Sequence, residues 1–148
     1  MIDLFFVRNE GEWIIICKIF DNNLTKVADK CYYIFMRVLY IDVKSDMQTC
    51  LMAVAQLEIE IDACKLGGFN ALKVIHGYGS HGVGGAIKKD IHTRLKQMKA
   101  QKKIKDYIPC EKWTPSNPQR QIAIKHCDEL LADSDLRMLN SGVTIVLI

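Results

Sequence analysis

Ala71-Leu72-Lys73-Val74-Ile75 runs without a break into His76-Gly77-Tyr78-Gly79-Ser80-His81-Gly82-Val83-Gly84-Gly85, and then into Ala86-Ile87-Lys88-Lys89. The first five residues are mostly apolar and read as a buried strand. The next ten hold five glycines, which let a backbone turn sharply and approach a ligand closely. From Ala86 onward, Ile87, Ile91, Leu95 and Met98 recur at helical spacing. The loop therefore sits at the carboxyl end of a strand, where sheets of this kind bind ligands. The unpaired N–H groups of the following helix turn favour an anion there. The stretch predicts a phosphate held at Gly77, Tyr78, Gly79, Ser80, Gly82, Gly84 and Gly85.

Working outward, residues 38–43 (VLYIDV) read as another buried strand. Ser45, three residues before Gln48, forms a capping box for a helix. Its core face is expected to hold Met47, Cys50, Leu51, Val54, Leu57, Ile61 and Cys64, and Gly67-Gly68 stops it. Residues 104–108 predict a third strand, 115–118 a loop, and 119–131 a short extra helix. Asn140-Ser141-Gly142 turns the chain into a last β-prone strand, 143–148. Strands joined through helices pair in parallel by right-handed crossovers. The sum is an α/β two-layer sandwich, one sheet covered by helices, over residues 38–148. Residues 1–37 form an N-terminal extension. Within it, 4–7 and 13–20 read as strands around Asn9-Glu10-Gly11. Val27, Cys31, Ile34, Phe35 and Val38 repeat at helical spacing, but the same stretch is rich in strand-favouring side chains.

The chain has 148 residues, enough for one domain with an added element. Apolar residues make up 49% and charged residues 25%, which excludes a disordered chain. No apolar run exceeds six residues, far short of the roughly 20 that span a membrane. Asp3 precedes the first basic residue and no cleavage site follows, so no secretory signal is expected. Six cysteines lack any C-x-x-C pair and are expected to be reduced thiols in a cytoplasmic protein.

Net charge is +3, but residues 86–105 hold eight Lys or Arg against Asp90 alone, giving +7 there and −4 elsewhere. At about 100° per residue, with Ile87 at zero, the apolar positions of this helix fall within about 0–80°. Lys88, Lys99, Lys103, Lys96 and Lys89 span about 100–200°, with His92 amid them. This band predicts contact with nucleic-acid backbone, DNA or RNA, independent of base sequence.

His76 could exchange a proton beside a bound phosphodiester. Asp42, at the equivalent end of the first strand, could orient it, activate water or hold a divalent ion. The competing readings are a capping role for Asp42 and a bond from His76 to its own glycine loop. Gly77, Gly79 and Gly82 also satisfy a dinucleotide fingerprint, with Asp106 as the ribose-binding acid. Walker A fails for want of a terminal G-K-[ST]. Cys110 with His126-Cys127 fits no standard metal site, and Trp113 and Tyr107 read as core anchors before base-stacking groups.

Val74-Ile75-His76-Gly77-Tyr78-Gly79, then Gly82-Val83-Gly84-Gly85-Ala86-Ile87, and finally Gly142-Val143-Thr144-Ile145-Val146, resembles the Smr (small MutS-related) domain. The resemblance implies a mixed four-stranded sheet packed by helices, similar to the C-terminal domain of bacterial translation initiation factor three. It implies a nucleic-acid-binding module, in some members a DNA-nicking or RNA-cleaving endonuclease that would use Mg or Mn if a metal is needed. The H-G-x-G element falls on His76, Gly77, Tyr78 and Gly79. The family's L-D-x-H element reads Ile41-Asp42-Val43-Lys44 here. The acid is kept, but Lys44 replaces the histidine; lysine suits phosphate and is a poor base at neutral pH. The expectation is binding with weakened cleavage. The alternative is a non-catalytic adaptor whose extension binds a protein partner in DNA repair or translation.

Overall fold

The computed structural model describes residues 2–9, 12–19, 34–35, 37–44, 49–78 and 85–148. The chain divides into two compact units, Met1–Met36 and Arg37–Ile148. The first is an antiparallel sheet of β1 (Ile2–Asn9), β2 (Glu12–Ile19) and β3 (Ile34–Phe35), in that order. β1 and β2 pair from Ile2↔Ile19 to Asn9↔Glu12, the hairpin expected around Asn9. Ile34–Phe35 pairs with β2 as a strand, while residues 20–33 lie outside the described residues.

The second unit contains β4 (Val38–Asp42), α1 (Cys50–Leu66), β5 (Ala71–Ile75), α2 (Ala86–Ala100), β6 (Asp106–Pro109), α3 (Pro118–His126), α4 (Ser134–Arg137) and β7 (Val143–Leu147). Short 3-10 turns, Cys110–Lys112 and Asp128–Ala132, flank α3. The sheet order is β4-β5-β7-β6. β4 and β5 are parallel, and β7 runs antiparallel to both of its neighbours, so the sheet is mixed. The expected parallel pairing of the strands joined through α2 is therefore corrected: β7 lies between β5 and β6. Its Val-Thr-Ile-Val-Leu sequence is buried at every position and belongs at the centre of a sheet covered on both faces. β6 ends in Pro109, which cannot donate to a ladder and is tolerated at an edge.

The two-layer expectation is also extended. Leu72, Val74 and Val146 face α1 and α2, with Leu57, Ile61, Ile91 and Leu95. Ala71, Ile145 and Leu147 point the other way, onto Ala123, Leu130 and Leu136 of the 118–137 segment. That segment forms a third layer.

α1 begins at Cys50, where Thr49 accepts the Met52 N–H at 3.2 Å; Ser45 and Gln48 lie outside the described residues. Its buried positions are Ala53, Leu57, Ile61 and Cys64, whereas Leu51 is 80% exposed. The helix is apolar nearly all round, so periodicity does not fix which side faces the core, and Leu51, expected inside, lies in solvent. Cys50, Cys64, Cys110 and Cys127 are free thiols, and burial pushes Cys64 and Cys110 up to about 12.

On the α3 side, Lys73 is buried in the sheet and pairs with Asp133 at 2.7 Å and Asp135 at 2.6 Å. Burial alone would lower its pKa, but the two carboxylate hydrogen bonds win and raise it. Removing one partner of such a cluster strands the rest in a dry site. Lys73→Met is expected to cost about 3–5 kcal/mol in urea unfolding, with part recovered when Asp133→Leu is added.

Candidate nucleic-acid interface

β5 ends in a turn built by two glycines in close contact. The Gly142 carbonyl accepts N–H bonds from His76 at 2.9 Å and Gly77 at 3.0 Å. A Cβ on Gly142 would stand 3.2 Å from Gly77 Cα. Gly77 has φ +70°, and a Cβ there would stand 3.1 Å from Lys44 Cδ. The turn therefore needs glycine at 77, and the stem of Lys44 lies across it. Gly79, Ser80, His81, Gly82, Val83 and Gly84 lie outside the described residues, as do residues 45–48. Description resumes at Gly85, which precedes α2 and offers no capping side chain.

His76 is 2% exposed and points towards α2, not into an open cleft. Its Nδ1 lies 3.0 Å from the Gly77 carbonyl. A carbonyl can only accept, so Nδ1 carries the hydrogen. Its Nε2 is 2.9 Å from Thr144 Oγ1, and His92 Nε2 reaches the same oxygen at 2.8 Å. A neutral His76 has no hydrogen on Nε2, so the threonine hydroxyl donates to it. Thr144 Oγ1 must then accept from His92 Nε2–H. The result is one directed chain, His92 to Thr144 to His76 to the Gly77 carbonyl. The two imidazoles stand edge to face, 5.5 Å apart, and Tyr107 lies 6.0 Å from His92.

Burial lowers the pKa of His76; the Gly77 carbonyl opposes the shift and Lys88 reinforces it. Burial also lowers His92, to about 4, helped by His76 and Lys88. Both rings are therefore neutral at neutral pH. Lys88 donates to Glu111 at 2.6 Å and to the Ser141 carbonyl at 2.9 Å. Burial raises Glu111, but the Lys88 bond outweighs it and holds the carboxyl below its ordinary range. Tyr78 is half exposed and donates to Asn140 Oδ1, which also accepts the Gly142 N–H at 3.0 Å.

These contacts revise the sequence-derived site. His92 and Lys88 do not join an outward band, and Lys99, though exposed, is held by an acid. His92 meets Thr144 on the sheet, Lys88 is tied to Glu111, and Lys99 pairs with Asp106 at 2.6 Å. The helix packs over a wider arc than its apolar residues mark, because His92 and the part-buried Lys88 complete it. Lys89, Lys96 and Lys103 do face solvent, and among the described residues no carboxylate pairs with them.

Asp42 and His76 stand at neighbouring carboxyl ends, as expected, but alternation parts their side chains. Asp42 registers with Ile75, which packs on the α3 side, whereas His76 faces α2. Asp42 Oδ1 accepts the Lys44 N–H at 2.9 Å, the bond of a local turn. Among the described residues no three His, Cys, Asp or Glu side chains converge as metal ligands.

The dinucleotide reading loses its acid. Asp106 binds Lys99, Gln119 and the Tyr107 N–H, and its strand is not adjacent to β5. Trp113 is buried, the anchoring role expected of it. Thr144, Glu111 and Asn140 escaped the sequence reading. Thr144 carried a signal: it is the polar member of an otherwise apolar strand, so its hydroxyl needed partners.

The histidine pair makes stability depend on pH. An unfolded histidine titrates near 6.5, whereas the fold holds His92 near 4. Between those values the unfolded chain binds more protons, so stability falls as pH drops from about 6.5 to 4. A thermal-unfolding series over this window should show the midpoint dropping, and His92→Phe should flatten the drop while lowering the midpoint at pH 7.

No curated protein and no solved structure matches the chain. A family comparison does find a match: residues 47–113, the stretch that holds α1, β5, the glycine turn, the lysine-bearing α2 and β6, match the Smr domain model.

Proposed function

We propose that this domain binds nucleic acid by its phosphodiester backbone, at the N-terminus of α2 and along the outer edge of that helix. The carrying observation is the solvent row Lys89, Lys96 and Lys103, which no acid neutralises among the described residues. It continues from a helix start that has neither a capping side chain nor an acid in its first turn. Lysines there oppose the helix dipole, an arrangement that an incoming anion relieves. Lys44, exposed with its stem against Gly77, adds a cation beside the same turn.

Phosphodiester cleavage by Asp42 and His76, with or without Mg or Mn, has less support. In the resting turn both His76 nitrogens are engaged, by Gly77 and Thr144, so the imidazole must leave this chain before it can act as a base. A protein-adaptor reading has one observation in its favour. α1 exposes Leu51, Met52, Ile59 and Leu66, more apolar surface than a solvated helix needs.

Salt separates the two readings. Backbone binding predicts an affinity that falls steeply with salt, by a slope of about 0.9 per phosphate contact. Lys89→Glu with Lys96→Glu should weaken binding at least about tenfold at low salt and reduce that slope by about 2, whatever the base sequence. Unchanged affinity in fluorescence anisotropy would remove the α2 edge from the interface. Supercoiled plasmid with Mg or Mn should be nicked no faster by the native chain than by His76→Ala.

A further inference from the structure

Tyr78 follows Gly77 at the glycine turn, with half of its surface in solvent. Its hydroxyl is engaged by Asn140 Oδ1, so the exposed half is chiefly ring. A tyrosine more often buries its ring and wets its hydroxyl. Among the described residues of the second unit, the other exposed ring is Tyr40, and the Lys73 ammonium already lies over it at 5.4 Å. Trp113 is buried and Tyr107 packs against His92.

The ring is also held in place. The Asn140 N–H donates to the Asp135 carbonyl at 3.0 Å and its Nδ2 to Asp135 Oδ1 at 2.6 Å, while the Asn140 carbonyl accepts the Val143 N–H at 3.1 Å. Asp135 in turn pairs with the buried Lys73 at 2.6 Å. Tyr78 is thus moored through two side chains to the interior of the sheet. The residue before Asn140 is Leu139, at φ +54°, a left-handed position that strains any residue with a Cβ. Such strain persists only where the surroundings over-determine it, and it gathers at ligand clamps.

A ring fixed in advance loses little freedom when a second flat group stacks on it. The exposed Lys44, whose stem lies across Gly77, supplies a cation beside it. A nucleotide carries the matching pair, a planar base and an anionic phosphate. Bases inside a duplex keep their faces in the stack, whereas unpaired bases offer theirs to aromatic side chains.

We propose that Tyr78 is a stacking platform for an unpaired base, with Lys44 on the phosphate beside it, so that the glycine turn takes nucleic acid at a single-stranded nucleotide. The inference rests on the nucleic-acid reading above and adds the group that the turn itself recognises.

Anisotropy titrations of the full chain test it, with single strands of about 12 nucleotides, as DNA and as RNA, and with a duplex of each whose ends are closed by polyether linkers. Tyr78→Ala should weaken binding of the tighter single strand about tenfold and leave its salt slope unchanged, because no charge is lost. The closed duplexes should change less than about twofold. Tyr78→Phe, which keeps the ring and loses the Asn140 bond, should stay within about threefold of native. Lys44→Gln should lower the single-strand salt slope by about 0.7. A single strand carrying iodouracil should cross-link to Tyr78 on irradiation. Native single-strand affinity in Tyr78→Ala, an equal loss on the closed duplexes, or a cross-link that spares Tyr78 would overturn the platform. A loss in Tyr78→Phe as large as in Tyr78→Ala would overturn it too, leaving the side chain a brace for Asn140. An unchanged slope in Lys44→Gln would remove Lys44 from the site. In each of these cases, weaker binding by Lys89→Glu/Lys96→Glu would leave the backbone reading standing, and native affinity there too would end both.

Discussion

β7 carries a polar hydroxyl into the centre of a sheet that is closed on both faces. A buried hydroxyl without a partner costs about 1–3 kcal/mol, and Thr144 avoids this by joining two imidazoles. A hydroxyl has one hydrogen to give, so its donation to one ring fixes which nitrogen of the other must donate back. The Gly77 carbonyl sets the tautomer of His76, burial keeps both rings neutral, and the shared oxygen then sets the donor nitrogen of His92. The motif histidine is thereby a structural pin between β5, β7 and α2. The glycines beside it, held together by the Gly142 carbonyl, set where the chain leaves the sheet.

The cations of the domain divide into two populations by geometry. Lys73, Lys88 and Lys99 lie against carboxylates of other elements and help hold layers together. Lys89, Lys96, Lys102 and Lys103 lie along or beyond one edge of a single helix and meet no acid among the described residues. Long side chains can bury their stems and keep the charge in water, so helical projection alone does not tell these roles apart. What separates them is whether an acid waits on the facing element. Glu111 and Asp106 are supplied by the chain just after α2, outside the helix's own pattern.

Much of the second unit was legible in the sequence. The strand at 71–75 and the apolar stripe of α2 stood where periodicity put them, because each has one buried face or two and a glycine boundary. The strand order was not legible. Burial of β7 on both faces could be read from its composition, but insertion between two strands that α2 connects depends on pairings across the whole chain. α1 defeated the periodicity argument because apolar residues cover nearly its entire circumference, which left Leu51 and Ile59 in solvent. At the site, His76 and its glycines were found by spacing. The threonine that holds the ring lies 68 residues away, and no local pattern links the two. The pairing of Asp42 with His76 failed on a matter of parity, since adjacent strand ends can share an edge of the sheet and still face opposite layers.

The position of β7 has a consequence for how the domain is made. It is the last of the described elements to leave the ribosome, yet β6 pairs with it alone and β5 needs it along one edge. Until it arrives, the growing polypeptide holds two apolar strands with open edges and a lysine-rich helix with little to rest on. Such long-range closure is slow, and it leaves the nascent form exposed to aggregation. Assembly of this sheet must therefore wait until β7 has been made.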